Sequence, residues 1–252
     1  IAPLPPAKAD SAGKRLLLAF ALAVLLLFCA LPLAAVLVQA AQAGGSWQVL
    51  WEEETRLAAW NTLRFTATAV AAALALGISH AALARRLPWI RGITFLPFMV
   101  SPVCVAFGIL LLYPEWTASL PLLIATYALL AYPFVTKDLL AAWDALPPQY
   151  AAAARSMGAN RFQTACYVTA PLLLPAMRRG LTLAAATCIG EFAATLFLSR
   201  PEWLTLTTLI YQYLGTAGAE NHDRAMVLTA VLMMLAAAVF VLLDAAEREK
   251  AV

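Results

Sequence analysis

The sequence predicts an all-α, polytopic membrane protein, and two observations carry that prediction. Of the 252 residues, 63% are hydrophobic and only 12% are charged, and the mean hydropathy is +0.80. A soluble domain carries roughly 25% charged residues, so little of this surface faces water. The apolar residues also recur in stretches of about 20, the length at which a helix crosses the hydrocarbon core of a bilayer.

Six stretches are long and apolar enough to cross the membrane. Before the first of them, residues 1–15 are rich in proline and alanine, and we interpret them as a cytoplasmic linker from a longer polypeptide. The predicted plan is this linker, a six-helix membrane domain over 16–245 and a short cytoplasmic tail, 246–252. The predicted spans are 16–38, 58–84, 93–113, 117–135, 172–198 and 225–243.

The distribution of basic residues predicts which side of the membrane each loop faces. Six spans put both termini on one side, and cytoplasmic loops carry an excess of Lys and Arg. With both termini in the cytoplasm, thirteen of the 17 basic residues fall on the inner side. The other four are Arg56, Arg64, Arg200 and Arg224. We therefore expect cytoplasmic termini and a cytoplasmic connection, 137–171, between the fourth and fifth spans.

Residues that commonly bind metals or perform catalysis are few and scattered. His80 and His222 stand alone, and no two cysteines have metal-ligand spacing. Ser79 is next to His80, but adjacent residues on a helix point about 100° apart and cannot form a nucleophile–base pair. We therefore predict no metal site and no catalytic group. The cysteines are Cys29, Cys104, Cys166 and Cys188.

The long inner connection contains a polar segment, residues 149–171, with the pattern of two short helices around a glycine. Pro147 and Pro148 suit the first turn of a helix, where a missing N–H costs nothing. Gly158 follows as a C-cap glycine would, able to adopt the left-handed conformation. Asn160 is placed to cap the second helix together with Gln163.

The faces of these two helices leave two interpretations open. An apolar face of Tyr150, Ala153, Ala154 and Met157 recurs at helical spacing, and an amphipathic helix of this kind can lie on lipid. The face is rich in alanine, however, and gains little from lipid while letting another protein approach closely. We favour protein docking. The second face is Phe162, Ala165, Cys166 and Thr169, and Pro171 is expected to break the pattern before the next span.

The 149–171 segment resembles the cytoplasmic signature loop of the permease subunits of ATP-binding-cassette (ABC) importers. The family pattern is Glu-Ala-Ala, three residues, Gly, nine residues, then Ile-x-Leu-Pro. Here Ala152-Ala153-Ala154 is followed after three residues by Gly158 and after nine more by Val168-Thr169-Ala170-Pro171. The stretches "WDALPPQY", "LLLPAMRRG" and "GEF" also look like the family, so the resemblance covers nearly the whole chain.

The resemblance implies that the 149–171 segment is a coupling helix that inserts into a groove on a cytoplasmic ATPase subunit. ATP and Mg²⁺ would then bind in that partner, and this chain would bind no cofactor. The family's glutamate is Ala152 here, which removes one charged contact to the partner; Arg155 or Gln149 is a candidate to replace it. The implied coupling residues are Tyr150, Ala152, Ala153, Ala154, Arg155, Met157, Gly158, Asn160, Phe162 and Pro171.

The resemblance also implies an assembly in the bacterial inner membrane. It would contain a second permease half, fused or separate, two ATPase domains and an external solute-binding protein, with no nucleic acid. The stretches "GEFAATLFL" and "LTLTTLIYQYLG" resemble the fused ferric-iron and thiamine permeases, so the expected substrate is ferric iron or thiamine. Sulfate, molybdate and polyamine permeases are the alternatives within the family. A secondary transporter is the main alternative outside it.

Polar residues inside the predicted spans are candidates for the substrate pathway or gate. Glu191 is the deepest acid, and Thr195 follows it by one helical turn. A second interpretation is that Glu191 fixes helix packing. Residues 200–224 form a long outer connection, in which about 203–214 are apolar enough for a short helix at the outer gate. The remaining candidates are Asn61, Arg64, Ser101, Tyr211 and Gln212.

Overall fold

The computed structural model describes residues 12–116, 119–198 and 200–248, which are helical and contain no strand. A 3-10 helix, Gly44–Trp51, follows the first α-helix, and a π-helical turn, Ala165–Thr169, joins α8 to α9. The helices are α1 Ala12–Gln42, α2 Glu53–Arg86, α3 Ile90–Ile93, α4 Leu96–Met99, α5 Pro102–Leu112, α6 Leu120–Ala145, α7 Gln149–Ser156, α8 Arg161–Thr164, α9 Ala170–Ile189, α10 Ala193–Leu198, α11 Leu206–Gly215 and α12 Ala219–Arg248.

The all-α, polytopic prediction is confirmed, but the described residues contain five long apolar helices where six spans were predicted. The predicted span 93–113 is divided among α3, α4 and α5, and α5 has only 11 residues. Eleven residues of helix rise about 16 Å, roughly half the hydrocarbon thickness. Pro97 and Pro102 each lie at the start of a helix, because proline has no N–H to continue the preceding one.

The predicted span 172–198 also differs from the structure. The helix begins earlier, at Arg161, and continues through Pro171 to Ile189, so Pro171 does not break it. The π turn directly precedes Pro171 and changes the hydrogen-bond register where proline has no N–H to donate. The helix ends instead at Gly190, and α10 restarts at Ala193.

Three long helices, α2, α6 and α9, form the centre of the bundle. Their closest approach is at Val135 of α6, between Gly77 and Gly180. A Cβ at Gly77 would lie 2.8 Å from the Val135 side chain, and one at Gly180 would lie 2.7 Å from the Val135 Cα. Small residues therefore allow these backbones to meet, as is common where helices associate in a bilayer.

We call the end of the bundle that carries the 149–171 segment the inner end, and the opposite end, where α2 begins, the outer end. At the outer end a second apolar cluster joins α1, the 3-10 helix, α11 and α12. Most of α1 is exposed, including Leu17 at 72% and Phe28 at 76%. Residues 1–11 of the predicted linker and 249–252 of the predicted tail, with Lys8 and Lys250, lie outside the described residues.

Candidate functional site

The turn after α7 fixes the shape of the 149–171 segment at the inner end. Gly158 has φ +88°, in the left-handed region. Its N–H donates to the Arg155 carbonyl at 3.0 Å, and the Ala159 N–H donates to the Ala154 carbonyl at 3.1 Å. These two bonds form a Schellman motif, which closes the C-terminus of a helix and normally requires glycine at this position.

The second short helix is capped by its own side chains. The Asn160 Oδ1 accepts from the Gln163 N–H at 2.8 Å, and the Gln163 Oε1 accepts from the Asn160 N–H at 2.9 Å. This reciprocal capping box satisfies two backbone donors that a helix start leaves free. The angle between α7 and α8 is therefore set by hydrogen bonds among residues 154–163.

Large apolar side chains project from this segment into open space. Met157 is 83% exposed, Tyr167 is 78% exposed and Phe162 is 75% exposed, and Tyr150 is half exposed. A group of exposed apolar side chains indicates a surface that contacts another molecule or lipid, whereas a single exposed residue would need no such explanation. The grouping of four on one short segment is what distinguishes this surface.

The alanines of the segment separate into two faces. Ala152 and Ala153 are exposed, whereas Ala154 is buried at 5% and packs toward the rest of the chain. Arg155 is exposed, and its Nε donates to the Ala151 carbonyl at 3.1 Å. Ala154 nevertheless lines one groove together with Met157 and Tyr167. Tyr167 is an exposed residue of this segment that the sequence did not indicate.

A second group of polar residues surrounds the break between α9 and α10. Glu191 lies in this break and is 7% exposed, and its Oε1 accepts from the Ala194 N–H at 3.0 Å. The Glu191 carbonyl accepts from the Tyr127 hydroxyl at 3.2 Å and from the Thr207 hydroxyl at 3.0 Å. The Tyr127 hydroxyl also bonds to the Thr195 hydroxyl at 2.6 Å.

These bonds connect α6, α10 and α11 through one irregular peptide. The Glu191 carboxylate caps the N-terminus of α10, where the helix dipole and a free N–H favour a negative charge. Irregular backbone at membrane depth is normally found where it is buried in protein or lines a cavity. Glu191 and Thr195 are brought together as the sequence indicated, through Tyr127, which sequence reasoning did not select.

The connection before α11 is held to α2 by two neighbouring residues. Asn61 is fully buried, and its Nδ2 donates to the Glu202 carbonyl at 3.0 Å and to the Leu204 carbonyl at 2.8 Å. The Thr62 hydroxyl accepts from the Leu206 N–H at 3.0 Å. Asn61 therefore fixes the chain that leads into α11, the short helix that the sequence predicted in this connection.

The other predicted pathway residues lie in different places. The Tyr211 ring is 5.1 Å from the Phe192 ring, which brings α11 against the break. The Arg64 guanidinium lies 4.9 Å from the Phe65 ring, near Asn61 on α2. Ser101 precedes α5, and Gln212 is on α11; both are exposed and join neither group.

An ionic cluster stabilises the same outer end. Arg224 pairs with Glu52 at 3.1 Å and with Glu220 at 2.7 Å, and the Tyr213 hydroxyl donates to Glu52 at 3.2 Å. Burial raises the pKa of the Tyr213 hydroxyl. These contacts join α12 and α11 to the segment before α2.

A family model for the "binding-protein-dependent transport system inner membrane component" matches residues 73–246, which include the 149–171 segment and the break. The chain belongs to this family. The permeases of this family are ABC importer components, and the chain is therefore a permease component of such an importer. The resemblance seen in the sequence is confirmed.

Three relatives illustrate the range of similarity. A probable molybdenum ABC transporter permease of Haloferax volcanii is 30% identical over 87% of this chain and 86% of its own length. The sulfate transport system permease protein CysT of Escherichia coli is 28% identical over 74% of this chain and 75% of its own. The molybdenum transport system permease protein ModB of Haemophilus influenzae is 27% identical over 58% of this chain and 72% of its own.

Solved structures show the same fold. A crystal structure of a bacterial alginate ABC transporter, in complex with an alginate-bound periplasmic protein, contains a chain that aligns with a TM-score of 0.73 at 20% identity. The alignment covers 94% of this chain and 96% of that one. An inward-facing methionine transporter, MetNI, aligns with a TM-score of 0.63 over 75% of this chain.

Proposed function

We propose that the chain is one permease half of an importer and that the 149–171 segment docks on a cytoplasmic ATPase subunit. The observation that carries this proposal is the exposed group of Met157, Phe162 and Tyr167 on a turn whose shape is fixed by its own hydrogen bonds. A surface that must transmit force to a membrane helix needs such rigidity, and α8 continues directly into α9.

In this proposal the ATPase drives transport by binding two states of the permease differently. A ligand shifts a conformational equilibrium only by its differential affinity for the two states. ATP and Mg²⁺ bind in the ATPase subunits, and a closing ATPase pair moves the segment with α9. The break at Glu191 then lies at the far end of the helix that is moved, next to α11 and the outer gate.

The proposed orientation places the inner end in the cytoplasm, with both termini on that side. The support is the excess of Lys and Arg at that end, including Arg85 and Arg86 in the last turn of α2 and Arg161 at the start of α8. The outer end would then receive the solute-binding protein. The remaining partners are a second permease half and two ATPase domains.

The proposed substrate is an oxyanion, molybdate or sulfate. The relatives named above are permeases for molybdenum and sulfate, and a further relative, PhnV of Salmonella typhimurium, is a putative 2-aminoethylphosphonate permease. These substrates share a tetrahedral anionic group. None of these relatives is named for ferric iron or thiamine, so the similarity favours the alternative over the first expectation from the sequence.

The proposal is tested on the assembly purified with its ATPase and reconstituted in lipid. We expect a molybdate- or sulfate-loaded binding protein to stimulate ATP hydrolysis, and ferric-iron or thiamine binding proteins to leave it unchanged. Stimulation by a ferric-iron or thiamine protein alone would contradict the substrate.

The docking role is tested separately with a matched pair of variants. Met157→Asp should release the ATPase during purification, because it places a charge at the centre of the proposed contact. Gln212→Asp, an exposed change on α11 at the other end, should retain the ATPase. Retention of the ATPase by Met157→Asp would contradict the docking role.

A further inference from the structure

A cationic cleft lies between the 149–171 segment and the inner ends of α2 and α6. It has a volume of about 430 Å³, and its lining includes Arg85, Arg155 and Arg161. No carboxylate contributes to this lining among the described residues. Asp144, which neighbours the lining residue Trp143, is held by Arg91 through two hydrogen bonds of 2.7 and 3.0 Å. Three arginines therefore face one cleft without an acidic partner in its wall.

A second, apolar cleft adjoins the cationic one. It has a volume of about 250 Å³ and runs between α2, α6 and α9 along Ile78, Leu139, Leu173 and Met177. Its lining contains no charged side chain.

The two clefts share part of their walls, since Trp143, Ala165 and Thr169 line both. The Arg85 guanidinium lies 4.6 Å from the Trp143 ring, at the junction. The two clefts are therefore adjacent at these residues.

We propose that this pair of clefts binds one anionic phospholipid. The phosphate would occupy the cleft of three arginines, and one acyl chain would enter the apolar cleft. Arg85 lies in the last turn of α2, which is long and apolar enough to cross the bilayer, so the cleft is at the level where headgroups are found. Basic pockets between membrane helices on the inner side are suited to acidic headgroups.

Charge and shape together distinguish this occupant from others. A free anion would use the arginines but leave the apolar cleft empty. An acidic side chain of a partner protein would do the same. A zwitterionic lipid would fill the apolar cleft, but the positive group of its headgroup would be repelled by the three arginines. Only an anionic lipid satisfies both clefts.

The site would join the coupling segment to the membrane. Arg155 lies before the Gly158 turn and Arg161 lies after it, and both face the same cleft. A lipid phosphate bound between them holds the two short helices against α2 and α6. The inference concerns lipid recognition and does not depend on the transported substrate.

The test is native mass spectrometry of the full chain, purified in detergent and titrated with dioleoyl phosphatidylglycerol or dioleoyl phosphatidylcholine. Each cation near an anionic lipid contributes a factor of about five in affinity, so we expect a preference for phosphatidylglycerol of roughly a hundredfold. The Arg85→Gln/Arg161→Gln double variant should reduce that preference about 25-fold. Arg86→Gln, which removes a neighbouring charge that does not line the cleft, should preserve it.

The apolar half of the site is tested by Ala165→Leu, which narrows the junction between the clefts and should weaken phosphatidylglycerol binding with all three arginines present. Equal binding of the two lipids, or unchanged binding by the double variant or by Ala165→Leu, would overturn the proposal. Inorganic phosphate that competes with the lipid at equal concentration would indicate a free-anion site instead. A double variant that keeps its lipid preference but loses the ATPase subunit would assign the arginines to the protein partner.

Discussion

The 149–171 segment and the break at Glu191 are both irregular, yet they are stabilised in opposite ways. In the segment, the hydrogen bonds that fix the turn join residues at most five positions apart, from Ala154 to Gln163. At the break, the Glu191 carbonyl is bound from Tyr127, 64 positions away, and Tyr127 is bound by Thr195, 68 positions away. One region is shaped by its own sequence, and the other is shaped by the rest of the bundle.

The two regions also differ in their exposure to solvent, in line with the difference in their hydrogen bonds. The turn of the segment is fixed by local backbone bonds, and Met157 and Phe162 remain exposed beside it. The break is buried, and its polar groups must find partners inside the protein because an unpaired buried group costs about 1–3 kcal/mol. An exposed turn can therefore be preformed, whereas a buried break is coupled to the helices that contact it.

The largest expected effect is on the segment. Gly158→Val should abolish ATP-driven uptake. A β-branched residue at φ +88° costs about 1–2 kcal/mol or more, so the variant is expected to leave this conformation and change the angle between α7 and α8. No atom lies within 4 Å of a Cβ at this position, so the effect is on the backbone rather than on packing. Uptake assays in cells with equal membrane levels of protein check this.

Gly158→Asn is the matched control for this change, since asparagine tolerates the left-handed region. It should retain most of the uptake. Normal ATP-driven uptake by Gly158→Val would show that the turn does not transmit the motion.

The next effect is on the connection between α10 and α11. Asn61→Leu has a similar volume but leaves the Glu202 and Leu204 carbonyls without their donor, which should lower the free energy of unfolding by about 2–5 kcal/mol. Thermal unfolding of the purified chain measures the loss. Asn221→Leu, a half-buried change on α12 that removes one exposed hydrogen bond, should lower it by no more than about 1 kcal/mol. Equal stability of the two variants would mean that the bonds from Asn61 do not stabilise this connection.

A smaller effect is expected from Tyr127→Phe, which removes one hydroxyl and two hydrogen bonds at the break. The expected loss of unfolding free energy is about 1–3 kcal/mol. Thr195→Val should lose less in the presence of Tyr127→Phe than alone, because the two hydroxyls bond to each other at 2.6 Å. Strictly additive losses in this double-mutant cycle would contradict the bond.

The smallest effect is expected from Asn160→Ala, which removes one half of the capping box. Loss of an N-cap costs about 1 kcal/mol, and here the cost should be local to α8. Hydrogen exchange of the amides of residues 160–164 should accelerate while the melting temperature stays the same. A Ser156→Ala control should exchange like the unaltered chain, and a fall in melting temperature for Asn160→Ala would show that the segment is not self-contained.

The contrast also explains how much the sequence could predict. The cap at Gly158 and the capping box at Asn160 were predictable because each depends on a few neighbouring residues. The break after Ile189 was not predictable, because the sequence around Glu191 and Thr195 has the pattern of one continuous apolar helix. The hydrogen bonds at the break come from Tyr127 and Thr207, which are distant in the sequence. The predicted third span is divided in the structure at Pro97 and Pro102, because proline has no N–H to continue the hydrogen-bond ladder although the hydropathy is continuous there.

The central claim, that the exposed surface of the 149–171 segment is covered by an ATPase, is tested most directly by cysteine labelling of the assembled importer. Met157→Cys and, as a control at the outer end, Trp51→Cys are each introduced into a chain whose exposed Cys29, Cys104 and Cys166 are replaced by alanine; both target side chains are 83% exposed here. We predict that a soluble maleimide labels both sites in the isolated chain, and that assembly with the ATPase protects position 157 at least about tenfold more than position 51. Equal labelling of position 157 with and without the ATPase, in an assembly that still transports, would contradict the account.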